Sequence, residues 1–166
     1  MADSLPLDSF GRTPLHTAAV YGALDVVELL LKTEPSTLLL KDDRQNLPLH
    51  LSAGEGHLAC TKLLTVTGII NERDIYGCTP LWHACRSGHE DIVQFLVEQN
   101  VDINLCDVGG DSPVGVAIMN CQERIAISLL GRGAECQSRG SKGNTPLHNA
   151  ATVGSQAIIE HLLKAG

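Results

Sequence analysis

The tetrapeptide Thr13-Pro14-Leu15-His16 returns four more times along this chain, and its spacing dictates a linear array. The later copies are Leu47-Pro48-Leu49-His50, Thr79-Pro80-Leu81-Trp82, Ser112-Pro113-Val114-Gly115 and Thr145-Pro146-Leu147-His148. They start at 13, 47, 79, 112 and 145, steps of 34, 32, 33 and 33 residues. A period of this length marks stacked units in which each copy buries its apolar face only against its neighbours.

Every unit carries the same letters at the same offsets, and each letter has a physical task. Five positions before the tetrapeptide stands Asp8, Asp42, Asp74 or Asp107, with Gly140 in the last copy. Thr13, Thr79, Ser112 and Thr145 are N-caps that accept from an otherwise unpaired helix N–H, and Leu47 breaks the rule. The Pro that follows sits in the first helical turn, where its missing N–H costs nothing. A small pair comes next (Ala18-Ala19, Ser52-Ala53, Ala84-Cys85, Ala117-Ile118, Ala150-Ala151) and allows close helix approach. Gly22, Gly56, Gly88 and Gly154 then permit the left-handed turn that ends this helix, and Cys121 takes that place in the fourth copy. A second helix closes each unit. Its apolar stripe reads Val26, Val27, Leu30 and Leu31 in the first copy, Ile92, Val93, Leu96 and Val97 in the third, and Ile158, Ile159, Leu162 and Leu163 in the fifth.

With these letters the chain resembles the ankyrin repeat family. The pattern D-x-x-G-x-T-P-L-H-x-A-A-x-x-G-H-x-x-[IV]-V-x-x-L-L is nearly complete in Asp8–Leu31 and Asp74–Leu96, and the likeness runs from residue 8 to 166. The resemblance implies an all-α solenoid of stacked helix-turn-helix units with β-hairpin-like loops. It divides a single array spanning 1–166 into repeats of about 8–41, 42–73, 74–106, 107–139 and 140–166, the last incomplete. It also implies that His16, His50 and His148 bond across loops, that His57 and His89 are structural, and that Trp82 fills the space of a motif His. The fourth unit, with Gly115 for His and Cys121 for Gly, is expected to be the weakest link or a specialised surface. An extra residue near Glu34-Pro35 and a missing one around Thr67–Ile70 predict unlike loops. The end at Lys164-Ala165-Gly166, in mid-motif, suggests a fragment of a longer array.

Chemistry finds little to stand on. There is no G-x-S-x-G, P-loop or H-E-x-x-H, so no catalytic residues are assigned. Gly109-Gly110 lacks the Lys-Ser/Thr that phosphate cradling requires, and no cofactor is expected. The six cysteines form no CxxC pair, and His83 with Cys85 is an isolated His-x-Cys, so no metal site is expected. They read as reduced thiols of a cytoplasmic or nuclear protein. Met1 to Phe10 holds two Asp and no basic region, unlike a secretory signal. No apolar run is long enough to span a bilayer. The formal net charge of −7 opposes nucleic acid and anionic lipid, which leaves a protein partner of a monomeric array.

In the family, partners usually lie in the groove lined by loop tips and the ends of the first helices. The tip positions are Ser9, Phe10 and Arg12; Asp43, Arg44 and Asn46; Ile75, Tyr76 and Cys78; Val108, Gly109 and Asp111; Ser141, Lys142 and Asn144. The helix ends carry Tyr21, Glu55, Arg86, Met119 and Val153. These letters vary while the scaffold letters recur. Partner binding is therefore expected at Phe10, Arg12, Tyr21, Arg44, Tyr76, Arg86, Met119 and Lys142. Tyr and Arg are enriched at binding hot spots, and three of the five aromatics fall on this strip. The expected function is a protein–protein interaction module or scaffold within a larger regulator or adaptor. The alternatives are a stand-alone ankyrin-type kinase inhibitor and the ankyrin region of an enzyme or channel whose working domain lies elsewhere. The family resemblance also makes Asn104 a candidate for asparaginyl hydroxylation, since Leu96, Asp102 and Ile103 supply the preferred context.

Overall fold

The computed structural model describes residues 6–66, 68–140 and 142–165 of the chain. The head of the Met1–Phe10 stretch, Thr67 in the shortened loop, the tip residue Ser141 and the terminal Gly166 lie outside the described residues. The helices come in pairs: α1 (Pro14–Tyr21) with α2 (Leu24–Thr33), α3 (Pro48–Gly54) with α4 (Leu58–Leu64), and α5 (Pro80–Ser87) with α6 (Glu90–Glu98). They continue with α7 (Pro113–Met119) and α8 (Glu123–Gly131), then α9 (Pro146–Val153) and α10 (Gln156–Ala165). The described residues contain no strand, so the all-α solenoid expected from the repeat is the fold found. The residue gained near Glu34-Pro35 is absorbed by a 3-10 turn at Pro35–Leu39.

Odd-numbered helices stack on one another in an inner row, α1 on α3, α3 on α5, α5 on α7 and α7 on α9. Even-numbered helices form the outer row, each leaning on its own partner and on the next outer helix. The outer stripe has a fixed centre. Leu64, Leu96, Leu129 and Leu162 occupy one register and are buried, with Leu30 half-buried at the equivalent place. At the two ends the stripe is wider than its cover. Val26 is 46% exposed and Leu163 65%, because among the described residues no neighbouring pair packs on those sides.

The caps follow the chemistry of the letters. The side chains of Thr13, Thr79 and Ser112 accept from the amides of His16, Trp82 and Gly115. Thr145 instead holds the His148 ring, with Oγ1 2.8 Å from Nδ1. Leu47 has no side-chain oxygen to offer, and its own amide donates to His50 Nδ1 at 3.1 Å.

The buried apolar residues divide into two clusters. The smaller gathers Leu15, Ala19, Val27, Leu49, Cys60, Leu64 and Ile69; the larger runs from Ala53 and Leu81 through Leu96 and Ile118 to Leu162. They part within the α3–α4 pair. There Ser52 stands where the other units have Ala, and Thr61 Oγ1 donates to Ser52 Oγ at 3.1 Å. Two buried hydroxyls satisfy each other at the place where apolar continuity lapses.

Gly22, Gly56, Gly88 and Gly154 all have positive φ, and Cys121 joins them at +58°. What lies above each position differs between units: the first three turns are covered by a side chain of the next unit, whereas nothing among the described residues stands within 4 Å of a Cβ on Gly154. A Cβ on Gly22 would meet the His57 ring at 2.4 Å, and one on Gly56 the His89 ring at 2.5 Å. The register sets Ser155, not an imidazole, over Cys121. The left-handed backbone still costs a non-glycine residue about 1–2 kcal/mol. Cys121→Gly is therefore expected to stabilise the array by about 1 kcal/mol, read as a shifted midpoint in urea unfolding. An unchanged or lowered midpoint would contradict this account of the turn.

Candidate functional site

The loops between pairs are built by the recurring Asp. Asp42 Oδ1 accepts from the amides of Arg44 (2.9 Å) and Asn46 (2.8 Å), and Asp74 Oδ1 from those of Tyr76 (2.9 Å) and Cys78 (2.8 Å). Asp8 and Asp107 do the same two and four residues on. Each loop closes with a backbone bond across its base, as from Asp74 N to Cys78 O at 3.0 Å. Successive tips are then joined: Asp43 N to Phe10 O, Ile75 N to Arg44 O and Val108 N to Tyr76 O, at 2.8–3.0 Å. The tips thus form a continuous ledge beside the inner helices.

Histidines fasten the ledge to the helices. His16 Nε2 donates to Asn46 O at 3.0 Å, and His50 Nε2 to Glu72 O at 2.9 Å. Trp82 takes over this work in the third unit, its indole N–H donating to Asp111 O at 3.0 Å. That carbonyl directly precedes the Ser112 cap, just as Asn46 O precedes Leu47. Burial lowers the pKa of His16, and that of His50 further, to about 4, so both rings are neutral acceptors at Nδ1. His148 makes its Nδ1 bond to Thr145 within its own unit. His57 and His89 reach back to Val20 O and Gly54 O, at 2.9 and 3.0 Å.

Between ledge and helices lies an open cleft of about 570 Å³. Its floor is α3 and α5, with His50, Leu51, Trp82 and His83; its rims are loop residues of the first four units. Of the sequence-expected binding residues, Arg12, Arg44, Tyr76 and Arg86 line it. Phe10 stands just outside, 55% exposed, with the Arg12 guanidinium 5.1 Å from its ring centre. Tyr21 at the end of α1 and Met119 at the end of α7 are exposed away from the cleft, as is Lys142 on the fifth loop. Two positions read from sequence as tips turn inward. Asn46 and Cys78 are buried because each lies on the return arm, where its amide bonds to the loop Asp.

Charges in the cleft are mixed. Arg12 Nε is buried without a hydrogen-bond partner among the described residues, 3.8 Å from Asp42 Oδ2. Arg86 lies 5.8 Å above the Trp82 ring. His83 Nε2 is 2.9 Å from Asp74 Oδ2. Burial alone would raise the Asp74 carboxyl, but the His83 hydrogen bond and the loop amides outweigh it and hold its pKa below the ordinary value. The sequence reading missed one grouping here: the ligating atoms of Asp74, Cys78 and His83 lie within 4.8 Å of one another. Although thiol, imidazole and carboxylate sit together, this is no nucleophile site. Cys78 is 4% exposed and burial pushes its thiol up to about 12, far from a reactive thiolate.

Asn104 is not among the residues lining the cleft. Its Oδ1 accepts the Glu135 amide at 3.0 Å, as Asn71 Oδ1 accepts that of Asp102.

Paired helices in file with a loop-rimmed cleft define a repeat solenoid that presents a side wall to its surroundings. Models described as ankyrin repeats match residues 6–52 (many copies), 34–107 (three copies) and 142–166, and the chain belongs to the ankyrin repeat family. It is 31% identical, over 92% of its residues, to the probable 26S proteasome regulatory subunit p28 of Saccharomyces cerevisiae, and spans 70% of that protein. It is 33% identical over 99% of its residues to ankyrin repeat protein nuc-2 of Neurospora crassa, and 30% identical over 99% to human transient receptor potential cation channel subfamily A member 1. The chain spans only 16% of the length of each of these two. Arrays of this family generally serve protein–protein interaction and are typically non-enzymatic. No helix among the described residues is long and apolar enough to cross a membrane.

Proposed function

We propose that the cleft over α3 and α5 holds a protein partner, with the array acting as the binding module of a larger regulator or adaptor. The observation that carries this reading is the cleft itself, open across four units and rimmed by Arg12, Arg44, Tyr76 and Arg86. In a chain with 3% aromatic residues, Phe10, Tyr21 and Tyr76 are all more than half exposed, where scarce rings would ordinarily be buried. The cleft suits a segment with an apolar or aromatic anchor beside carboxylates, which guanidinium groups pair in fork geometry.

The test compares the chain with an Arg44→Ala, Tyr76→Ala, Arg86→Ala variant in crosslinking capture from cells. All three side chains are on the rim, so helical circular dichroism should be unchanged, surface replacements costing about 0.5 kcal/mol or less each. Partners taken by the parent chain should fall at least tenfold on the variant, as loss of about 1.4 kcal/mol or more of hot-spot energy requires. Equal capture by both would place the binding surface elsewhere. Tyr21→Ala alone tells whether the contact extends to the end of α1.

A further inference from the structure

We infer that Asp74, Cys78 and His83 form a binding site for a zinc-like divalent cation, with its fourth coordination position open to the cleft. The three side chains offer a carboxylate oxygen, a sulfur and an imidazole nitrogen within 4.8 Å of one another, and all three line the cleft wall. This donor set matches a borderline-soft ion such as Zn²⁺. A tetrahedral zinc with bonds of about 2.0–2.3 Å holds its donors roughly 3.3–3.8 Å apart, so about 1 Å of side-chain movement completes the geometry.

The scaffold alone does not require this trio. The Asp recurs as Asp8, Asp42, Asp74 and Asp107 because it builds the loop. Four residues after it stand Arg12, Asn46, Cys78 and Asp111; nine after it stand Thr17, Leu51, His83 and Val116. Sulfur and imidazole coincide in the third unit alone, at offsets free to vary between units. The trio is also held in place beforehand. Asp74 and Cys78 are clamped by the loop's own bonds, and the His83 ring stands edge-on between Trp82 (5.6 Å) and His50 (6.0 Å).

On binding, the Cys78 S–H bond breaks and its proton goes to solvent. His83 ligates through Nε2, its ring keeping a single proton on Nδ1. The ion replaces the hydrogen bond between His83 and Asp74, and thiolate plus carboxylate balance its two charges. Water fills the fourth position.

Co²⁺ titration of the reduced, metal-free chain tests this directly. A sulfur-to-cobalt charge-transfer band should saturate at one equivalent and vanish when Zn²⁺ displaces the cobalt. Cys78→Ser should abolish the band, and His83→Ala should weaken binding at least tenfold. Cys106→Ser, in the next loop, should change neither. Helical circular dichroism follows each variant. If Cys78→Ser does not fold, the His83 variant decides, because the His83 side chain lies partly open on the cleft wall, 23% exposed. No saturable band, a band surviving Cys78→Ser, or unchanged affinity in a folded His83→Ala would overturn the assignment.

Discussion

Leu96→Ala should destabilise the array by about 2–5 kcal/mol, visible as a large fall in the urea midpoint. Leu96 is fully buried at the centre of the α6 stripe, and α6 leans on α4, α5 and α8. Truncation removes the transfer energy of its methyl groups and leaves a void between three helices that cannot all close on it. Ile92 and Val93, also buried and on the same face, belong to the same cluster and are restrained by it. The cost should therefore lie in the upper half of that range. Against a typical total of about 5–15 kcal/mol, one such change approaches collapse. Leu163→Ala is the internal comparison. It is 65% exposed, and its cost should stay below about 0.5 kcal/mol. If the two variants unfold at the same urea concentration, the outer row is not the packed spine described.

Acid should weaken the fold well before its carboxylates titrate. His50 is buried, with Nδ1 accepting the Leu47 amide and Nε2 donating to Glu72 O. Burial first, and then the neighbouring His83, depress its pKa to about 4. The unfolded chain, with an ordinary imidazole near 6.5, takes up a proton that the folded chain refuses. The stability associated with neutral His50 is thus fully present above pH 6.5 and is lost as pH falls through 4. The expected loss is about 3 kcal/mol, at 1.36 kcal/mol per unit of pKa difference. His16 is depressed in the same direction and adds to the slope. Asp8 and Asp74 also have lowered values, but their contribution is lost only below the ordinary carboxylate range, so the window between 6.5 and 4 belongs to the imidazoles. Urea unfolding at stepped pH measures it. His50→Gln should lower stability at pH 7 and flatten most of the acid slope; a slope unaffected by that change would sink the assignment.

The fold was legible because each scaffold letter answers a local need. Pro14 and Thr13 start a helix, Gly22 ends it, and the Leu96 register repeats down the chain, so five units could be counted without coordinates. The cleft was only half legible. Tyr76 and Arg44 could be placed on the rim because tips vary while scaffold letters do not. Cys78 and Asn46, each two residues further along the same loop, look like tips in the sequence, because the inward bend of the return arm beneath the Asp amide bonds leaves no mark on it. The Asp74–Cys78–His83 grouping was hidden for a related reason. Its carboxylate is a scaffold letter in every unit, and ligand spacings such as CxxC do not describe residues brought together by a loop folding against a helix. Comparing the fourth and ninth positions after each Asp, unit by unit, would have exposed it.

The lapse in the apolar core at Ser52 and Thr61 gives the array a line along which it can part under tension. Stretched between its two ends, such a solenoid opens where the apolar core is interrupted, leaving separate blocks on either side of the second unit. Arg12 stands on one block, Trp82 and Arg86 on the other. A segment held there as proposed would act as a splint across the crack, and its occupancy would raise the force at which the two halves come away from each other.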